Sequence, residues 1–359
     1  MNHRWSELLS AETFTAAGTK VMDIDLVDPI SRLSVLMKLT NNGSVPTDHP
    51  AKALTKLEIV DGSDVLMSLS GMDIQALNFY NNMMLPYANL IYLDNVMALI
   101  EFDINFGRFL YDEQFALDCK KFRNPQLKIT HNLAAGGSTP DAMELRVRAD
   151  VFDEEIVSPS GFLMAKEIYS YSLVSAANEY VDLPNDHPIR TLMLLSRANA
   201  KAPYEQYNQL KLTEEQDKKT LLEGYTSDFQ KVITGRYPLF TDLIYGACTA
   251  AGVDHYITPT FDAYPMLNSE GSGVAIGGPS FTNGGKKKIF GASSINFHGG
   301  YIGRCPHGAI AIPFGDQNDP DDWWDVTRLG SSRIKIKAGS SVEAASTLQV
   351  VLQQARAYK

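Results

Sequence analysis

Four scarcities limit the functions that this chain of 359 residues can have. Basic residues are few, because 32 Lys and Arg stand against 42 Asp and Glu, a formal net charge of −10. Nucleic-acid coating depends on Lys and Arg that neutralise phosphates, so we expect no sequence-specific nucleic acid as a partner. Long apolar runs are also missing. Even the segment from Leu85 to Ile104 contains Asp94, Glu101 and Asp103, so no stretch approaches the roughly 18 apolar residues of a membrane-spanning helix.

Cysteine is scarce as well. Cys119, Cys248 and Cys305 are odd in number and far apart, which matches neither a disulfide framework nor a metal-binding C-x2-C spacing. We interpret them as buried, reduced thiols. The N-terminal residues lack the apolar core and cleavage site of a signal peptide, so we expect synthesis and folding in a cytoplasm.

Catalytic signatures are scarce too. The seven histidines form no H-x-H or H-E-x-x-H pair, and no G-x-S-x-G element is present. We therefore predict that the protein is not an enzyme and binds no metal or cofactor. The acidic run from Asp316 to Asp325 lacks the central Gly and terminal Glu of an EF-hand loop, and a solvated loop is the simpler interpretation. Two carboxylates could still meet in a groove as a glycosidase pair, which leaves a carbohydrate-active enzyme or lectin as an alternative.

Short alternating strands dominate what is present. Turn-forming residues separate apolar–polar segments, which is the pattern of strands. The predicted strands are Ile30–Leu39, Leu54–Val60, Leu99–Phe106, Leu127–Leu133, Met143–Phe152, Ile168–Val174, Ile189–Leu195, Ala309–Phe314, Ser332–Lys337 and Leu348–Ala355. Helical patterns are limited to residues 4–16, about 73–82 and about 226–234. Many strands with few helices favour a sandwich or jelly roll over a βαβ fold.

The two halves of the sequence repeat each other. Ile104 and Ile312 each begin an I-x-F-G element that leads into an acidic, aromatic loop and then an alternating strand. Upstream, the segment from Leu57 to Gly71 matches the segment from Leu210 to Gly224, and both span 14 residues. Matched segments in the same order indicate a tandem duplication.

One segment of the second half is much longer than its counterpart. Gln75 and Phe106 are 31 residues apart, whereas Gln230 and Phe314 are 84 apart, a surplus of 53. We therefore predict a long insertion at about residues 235–305. Loops of this length are usually functional.

This arrangement resembles the double jelly-roll major capsid proteins of the tectivirus, corticovirus and adenovirus-hexon lineage. The segment INFGRFLYDEQFALDCKKFRNPQLKI from Ile104 is similar to the first-barrel segment of phage members. The resemblance covers about residues 20–359. In the second half it is thinner, since Pro313 stands at the position of Asn105 and Asp316 at that of Arg108.

The resemblance implies an all-β fold of two tandem eight-stranded jelly rolls with a few short helices. We expect an N-terminal helical arm over residues 1–20, a first jelly roll over 21–157 and a second over 158–359. Trp5, Leu8 and Leu9 would make the arm face the particle interior or a membrane, and packing of the arm against the base of the first roll is the alternative. The insertion would form an outward tower or a trimer contact, with Lys286, Lys287, Lys288 and Phe290 as its candidate residues.

The implied function is that of a viral major capsid protein. The resemblance implies homotrimeric, pseudo-hexameric capsomers that tile an icosahedral shell, so the chain itself is the main partner. Penton and minor capsid proteins, and an internal lipid membrane, are further partners that the family implies. The protein would then be located in the virion, after synthesis in the host cytoplasm.

Overall fold

The first half of the chain is a strand-rich unit with one helix. The structure is a computed structural model that describes residues 3–153, 157–267, 274–276, 283–291 and 294–358. The elements of the first half are β1 (His3–Phe14), β2 (Gly18–Asp23), β3 (Ile30–Thr40), β4 (Leu54–Asp61), β5 (Asp64–Leu69), α1 (Gly71–Asn82), β6 (Leu90–Tyr92), β7 (Met97–Asn105), β8 (Pro125–His131) and β9 (Ala142–Phe152).

The second half repeats this order and adds six strands between its long helix and its closing strands. Its elements are β10 (Gly161–Ser172), β11 (Asn178–Asp182), β12 (Ile189–Leu195), α2 (Pro203–Gln206), β13 (Tyr207–Glu214), β14 (Lys219–Tyr225), α3 (Thr226–Thr234), β15 (Phe240–Cys248), β16 (Val253–Tyr256), β17 (Pro259–Leu267), β18 (Val274–Ile276), β19 (Lys286–Gly291), β20 (Ile295–Pro306), β21 (Ala309–Pro313), β22 (Ser332–Ala338) and β23 (Thr347–Ala357).

The two halves have the same strand order. In the first, a sheet ordered β1-β9-β3-β7 lies over strands β2-β8-β4-β5; in the second, β10-β23-β12-β21 lies over β11-β22-β13-β14. Each strand has its counterpart at the same place in the other half, which is the predicted double jelly roll. The two rolls are joined, because β5 and β10 pair in parallel where Ser68 meets Lys166. A single eight-stranded sheet therefore runs β2-β8-β4-β5-β10-β23-β12-β21.

The predicted N-terminal helical arm is wrong. Residues His3–Phe14 form β1, which pairs antiparallel with β9, so they are part of the first roll. In the sequence, Trp5, Leu8, Leu9 and Ala16 have roughly helical spacing, which favours a helix. The register of β1 against β9 shifts between Glu7 and Leu9, and such a bulge allows neighbouring residues to face the same side.

The helices α1 and α3 occupy equivalent places but have different surroundings. In α1, Ser70 and Asp73 form a capping box, which satisfies backbone N–H groups of the first turn. Its residues from Asp73 to Tyr80 are all buried, because the second roll covers the side that faces away from the first. In α3, Asp228, Lys231 and Val232 are exposed.

Two large apolar cores hold the rolls together. The first core is built mainly from β3, β4, β7, β8 and β9, but it also includes Met193, Ala311 and Val351 of the second roll. The second core lies between β12, β13, β22 and β23. The three cysteines are buried and free, as predicted.

The six added strands form two small sheets beside the rolls. One is ordered β17-β20-β15-β6 and the other β16-β19-β18. The strand β6 comes from the first half, where it pairs in parallel with β15. Leu90 and Tyr92 of β6 are buried against Ile244 and Phe297 of the insertion. The segment between α1 and β7 of the first half is thereby attached to the insertion of the second.

Candidate functional site

The basic run of the insertion lies on β19, and its three lysines have different surroundings. Lys287 is buried, and its Nζ donates to the Asn283 carbonyl at 2.9 Å. Burial lowers the pKa of Lys287 to about 8, since removal from water disfavours the charged form. Lys287 therefore points into the insertion and does not present its charge to a partner.

The two neighbouring lysines lie nearer the surface. Lys286 is 3.0 Å from Asp254 Oδ2, and this hydrogen bond raises its pKa. Lys288 is exposed, with its Nζ 5.8 Å from the centroid of the Phe290 ring, which is partly buried. Of the four residues expected in a contact surface, Lys288 has its charge most accessible. Part of the predicted tower, at residues 268–273, 277–282 and 292–293, lies outside the described residues.

An arginine joins the two rolls to the insertion. Arg197, which follows β12, donates through Nη1 to Asp48 Oδ1 of the first roll at 2.6 Å. Its Nη2 is 3.3 Å from the Ile257 carbonyl and 3.2 Å from the Gly285 carbonyl, both in the insertion. Sequence analysis missed this residue, and nothing in the local pattern identifies it, because its partners are 149, 60 and 88 residues away.

Two buried histidines lie at the same junction. The backbone N–H of Ala51 donates to His49 Nδ1 at 3.1 Å, so His49 Nε2 carries the proton and donates to Thr258 Oγ1 at 3.0 Å. His307 Nε2 lies 2.7 Å from Gln75 Oε1. The two imidazole rings meet edge to face at 4.7 Å. Burial, assisted by the nearby positive charge of Arg197, holds the pKa of His49 well below its usual value.

A buried carboxyl belongs to the same cluster. Asp242 Oδ2 accepts the backbone N–H of Thr258 at 2.5 Å, and burial raises the pKa of Asp242 to about 6. The cluster is enclosed by the two rolls and the insertion. We interpret this cluster as a structural element that fixes the two rolls and the insertion relative to one another.

The N-terminal candidates do not form one apolar face. Leu8 and Leu9 are partly buried against the first core. Trp5 is 73% exposed on the outer side of β1. The structure therefore separates Trp5 from the two leucines, which sequence analysis had grouped together.

The matched acidic loops of the two halves touch each other. Arg108 donates through Nη1 to the Asn318 carbonyl at 2.6 Å, and it also pairs with Asp112 at 2.7 Å. The rings of Phe115 and Trp323 are 5.7 Å apart. These contacts connect the loop that follows β7 to the loop that follows β21.

The carboxylates of the second loop bind its own backbone. Asp319 accepts the N–H of Asp321 at 3.1 Å, and Asp322 accepts the N–H of Asp316 at 2.7 Å. Among the residues described, no group of three or more His, Cys, Asp or Glu side chains is arranged to hold a metal ion. In the same part of the chain, no helix combines the length and apolarity needed to cross a bilayer.

No protein-family model matches the sequence, and no curated protein matches it. Solved structures do match the fold. The STIV major capsid protein is 11% identical, with a TM-score of 0.60, and the match covers 100% of this chain and 97% of that one.

Two further viral structures match over nearly the whole chain. The PBCV-1 protein VP54 is 12% identical with a TM-score of 0.57, and the match covers 99% of this chain and 94% of that one. The major capsid protein P2 from bacteriophage PM2 is 10% identical with a TM-score of 0.53, covering 99% and 98%. At these identities the likeness is one of fold. The chain therefore has, along its whole length, the double jelly-roll fold of viral major capsid proteins.

Proposed function

We propose that the protein is the major capsid protein of an icosahedral virus and assembles as a homotrimeric, pseudo-hexameric capsomer. The observation that carries the proposal is the pair of jelly rolls with identical strand order, joined by one sheet. The similarity to solved capsid structures over the full chain supports it. The role is structural, and its location is the virion, after synthesis in the host cytoplasm.

The duplication explains how one chain could tile a shell. Two similar rolls give each copy two similar sides, so three copies in a ring present six similar sides to their neighbours. A ring of identical copies needs a heterologous contact that closes on itself. Obligate contacts of this kind commonly bury more than about 2,000 Å², so free monomer should be scarce.

The insertion is the part of the chain best suited to form the outward tower. It adds two sheets to one side of the molecule, and Lys288 is exposed on it beside Phe290. Penton and minor capsid proteins, and an internal lipid membrane, are the further partners of such a capsomer.

Light scattering and negative-stain microscopy of the purified full chain test the proposal. Three copies of 39.6 kDa predict a particle of about 119 kDa with a roughly hexagonal outline. The competing function is that of a carbohydrate-active enzyme or lectin. A stable monomer that binds or cleaves glycans would contradict the capsid proposal and favour that alternative.

A further inference from the structure

The two rolls are joined in one chain by a helix that covers a sheet. The outer face of the β10-β23-β12-β21 sheet is covered by α1 of the first roll. Tyr80 donates its hydroxyl to the Ala309 carbonyl at 2.7 Å, and Arg190 Nη1 donates to Asn81 Oδ1 at 2.8 Å. Leu77 of α1 lines a narrow gap together with Ala165 and Gln353 of the second roll.

Among the residues that the structure describes, none forms such a cover over the equivalent sheet of the first roll. Ile30 bridges to Leu117 in the first roll and Ile189 bridges to Trp324 in the second, so Ile30 and Ile189 are equivalent positions. Counted from these two positions, the strand pairings of the two rolls match. Three equivalent pairs on the outer faces follow from these registers: Trp5 with Ala165, Glu101 with Ala309 and Asp150 with Gln353. Ala165, Ala309 and Gln353 are buried. In the first roll, Trp5 is 73% exposed and Glu101 is partly exposed, whereas Asp150 is buried and paired with Arg32.

The helix α3 has an uncovered side that corresponds to the covered side of α1. The shared Asp-x-Gln places Gln230 at the position of Gln75, so Val232 corresponds to Leu77 and Arg236 to Asn81. Leu77 is buried, whereas Val232 is 62% exposed. In the first half, the helix α1 is covered and the outer face of the sheet is uncovered. In the second half, the outer face of the sheet is covered and the helix α3 is uncovered.

The charges of the two uncovered surfaces are complementary. The outer face of the first sheet carries five acidic residues and four basic ones: Glu7, Glu101, Asp103, Glu144 and Asp150 beside Arg32, Lys38, Arg146 and Arg148. Asp150 is 2.7 Å from Arg32, which also contacts Asp103. The outer side of α3 and the residue pair after it carry Lys231 and Arg236 against Asp228. The sheet face therefore has a net charge of −1 and the helix side a net charge of +1, and opposite charges of this kind favour association in one register.

We propose that the occupant of this sheet is α3 of a second copy of the chain. The contact repeats the junction between the rolls: Val232 of one copy meets Trp5 of the next, and Arg236 approaches the acidic residues of the sheet's outer face. The inference rests on the proposed capsomer and specifies which surfaces form it. Because each copy carries both surfaces, the contact is heterologous and can close into a ring.

Cross-linking tests the predicted pair directly. The double variant W5C/V232C, treated with a short bismaleimide, should yield covalently linked trimers, whereas W5C and V232C alone should not. The native cysteines are buried and free, so they give little background. The control W5C/V174C places the second thiol on another exposed apolar residue and should remain unlinked.

A charge variant provides a second measurement. R236E should raise the concentration at which half the protein is trimeric by about tenfold, and R236K should leave it unchanged. If trimers form but W5C/V232C does not cross-link, the proposed contact between α3 and the sheet is wrong, although the capsomer itself stands. The same holds if R236E trimers are as stable as R236K trimers. A chain that stays monomeric in light scattering would overturn both.

Discussion

At the scale of single residues, the glycines of the two I-x-F-G elements are fixed by close packing. A Cβ on Gly107 would lie 2.6 Å from Asp112 Cβ and 2.7 Å from the Phe115 carbonyl oxygen. Gly315 has φ +62°, and a Cβ there would collide with the Asp322 carbonyl. In both halves the acidic loop folds back onto its own glycine, so the motif reflects the turn and not a binding function.

Alanine at either glycine should therefore destabilise the fold. Overpacking costs roughly 1–3 kcal/mol, and G315A adds about 1 kcal/mol because a side chain is disfavoured at positive φ. Urea denaturation should show midpoints shifted down for G107A and more so for G315A. The matched control is G18A, whose Cβ would meet only the His131 ring at 3.8 Å. Equal midpoints for G315A and G18A would contradict this account.

The sequence pattern identifies these glycines, but it does not identify the buried polar residues that lie between the two rolls and the insertion. The I-x-F-G element occurs twice, so the comparison of the two halves reveals it. Arg197 and His49 have no repeated counterpart, and their partners Asp48 and Thr258 are distant in sequence from them, by 149 and 209 residues respectively. Only the packing of the insertion against both rolls brings these groups together.

At the scale of elements, the N-terminal strand is integral to the first roll. β1 pairs with β9 from His3 to Phe14, and the following β2 pairs with β8. Without β1, the edge of β9 would be exposed. The partly buried side chains of Leu8, Leu9 and Phe14 would also be lost from the first core. An open strand edge of this kind promotes aggregation.

Deletion of residues 1–17 should therefore cause misfolding and not merely the loss of a surface arm. We expect the truncated protein to be largely insoluble, with a lowered thermal midpoint for any soluble fraction. The point variant S10A, which changes an exposed side chain of β1 outside the proposed contact, should fold normally and is the control. A soluble truncated protein with the thermal midpoint of the full chain would show that β1 is dispensable.

The elements that could be predicted are those whose periodicity is local, and they include ten of the 23 strands in the described residues. The strand Ile189–Leu195 and the helix Thr226–Thr234 have the predicted bounds, and β3 differs by one residue. The N-terminal residues form a strand although the spacing of Trp5, Leu8, Leu9 and Ala16 favours a helix, because a bulge in β1 lets neighbouring apolar residues face one side of the sheet. The pairing of β6 with β15 depends on a contact between the two halves, which no local pattern encodes.

At the scale of the whole molecule, the buried cluster makes stability depend on pH. Burial holds the pKa of His307 well below its usual value of about 6.5. The charged or titratable groups that influence it are His49, Arg197 and Asp48. As pH falls through 6.5, the unfolded chain binds a proton that the folded chain does not, so the free energy of unfolding decreases.

The variant H307Q isolates this contribution, since its side-chain amide can still donate to Gln75. The stability of the wild type relative to H307Q should fall by about 1 kcal/mol between pH 7.5 and 5.5 in urea titrations. The control D242N should change in the opposite sense. The pKa of Asp242 is raised to about 6, so protonation on acidification stabilises the wild type but cannot affect the asparagine. A pH-independent difference for H307Q would refute the assignment.

The eight-stranded sheet that crosses both rolls has a consequence for the geometry of a shell. β5 pairs with β10, and α1 is buried between the rolls, so the angle between the two rolls is fixed within each copy. In a shell built from the proposed capsomer, a flat facet and a bent edge would therefore use the same rigid subunit. Curvature would be distributed over the contacts between neighbouring capsomers, and particles of different radius would differ there while the chain itself keeps one conformation.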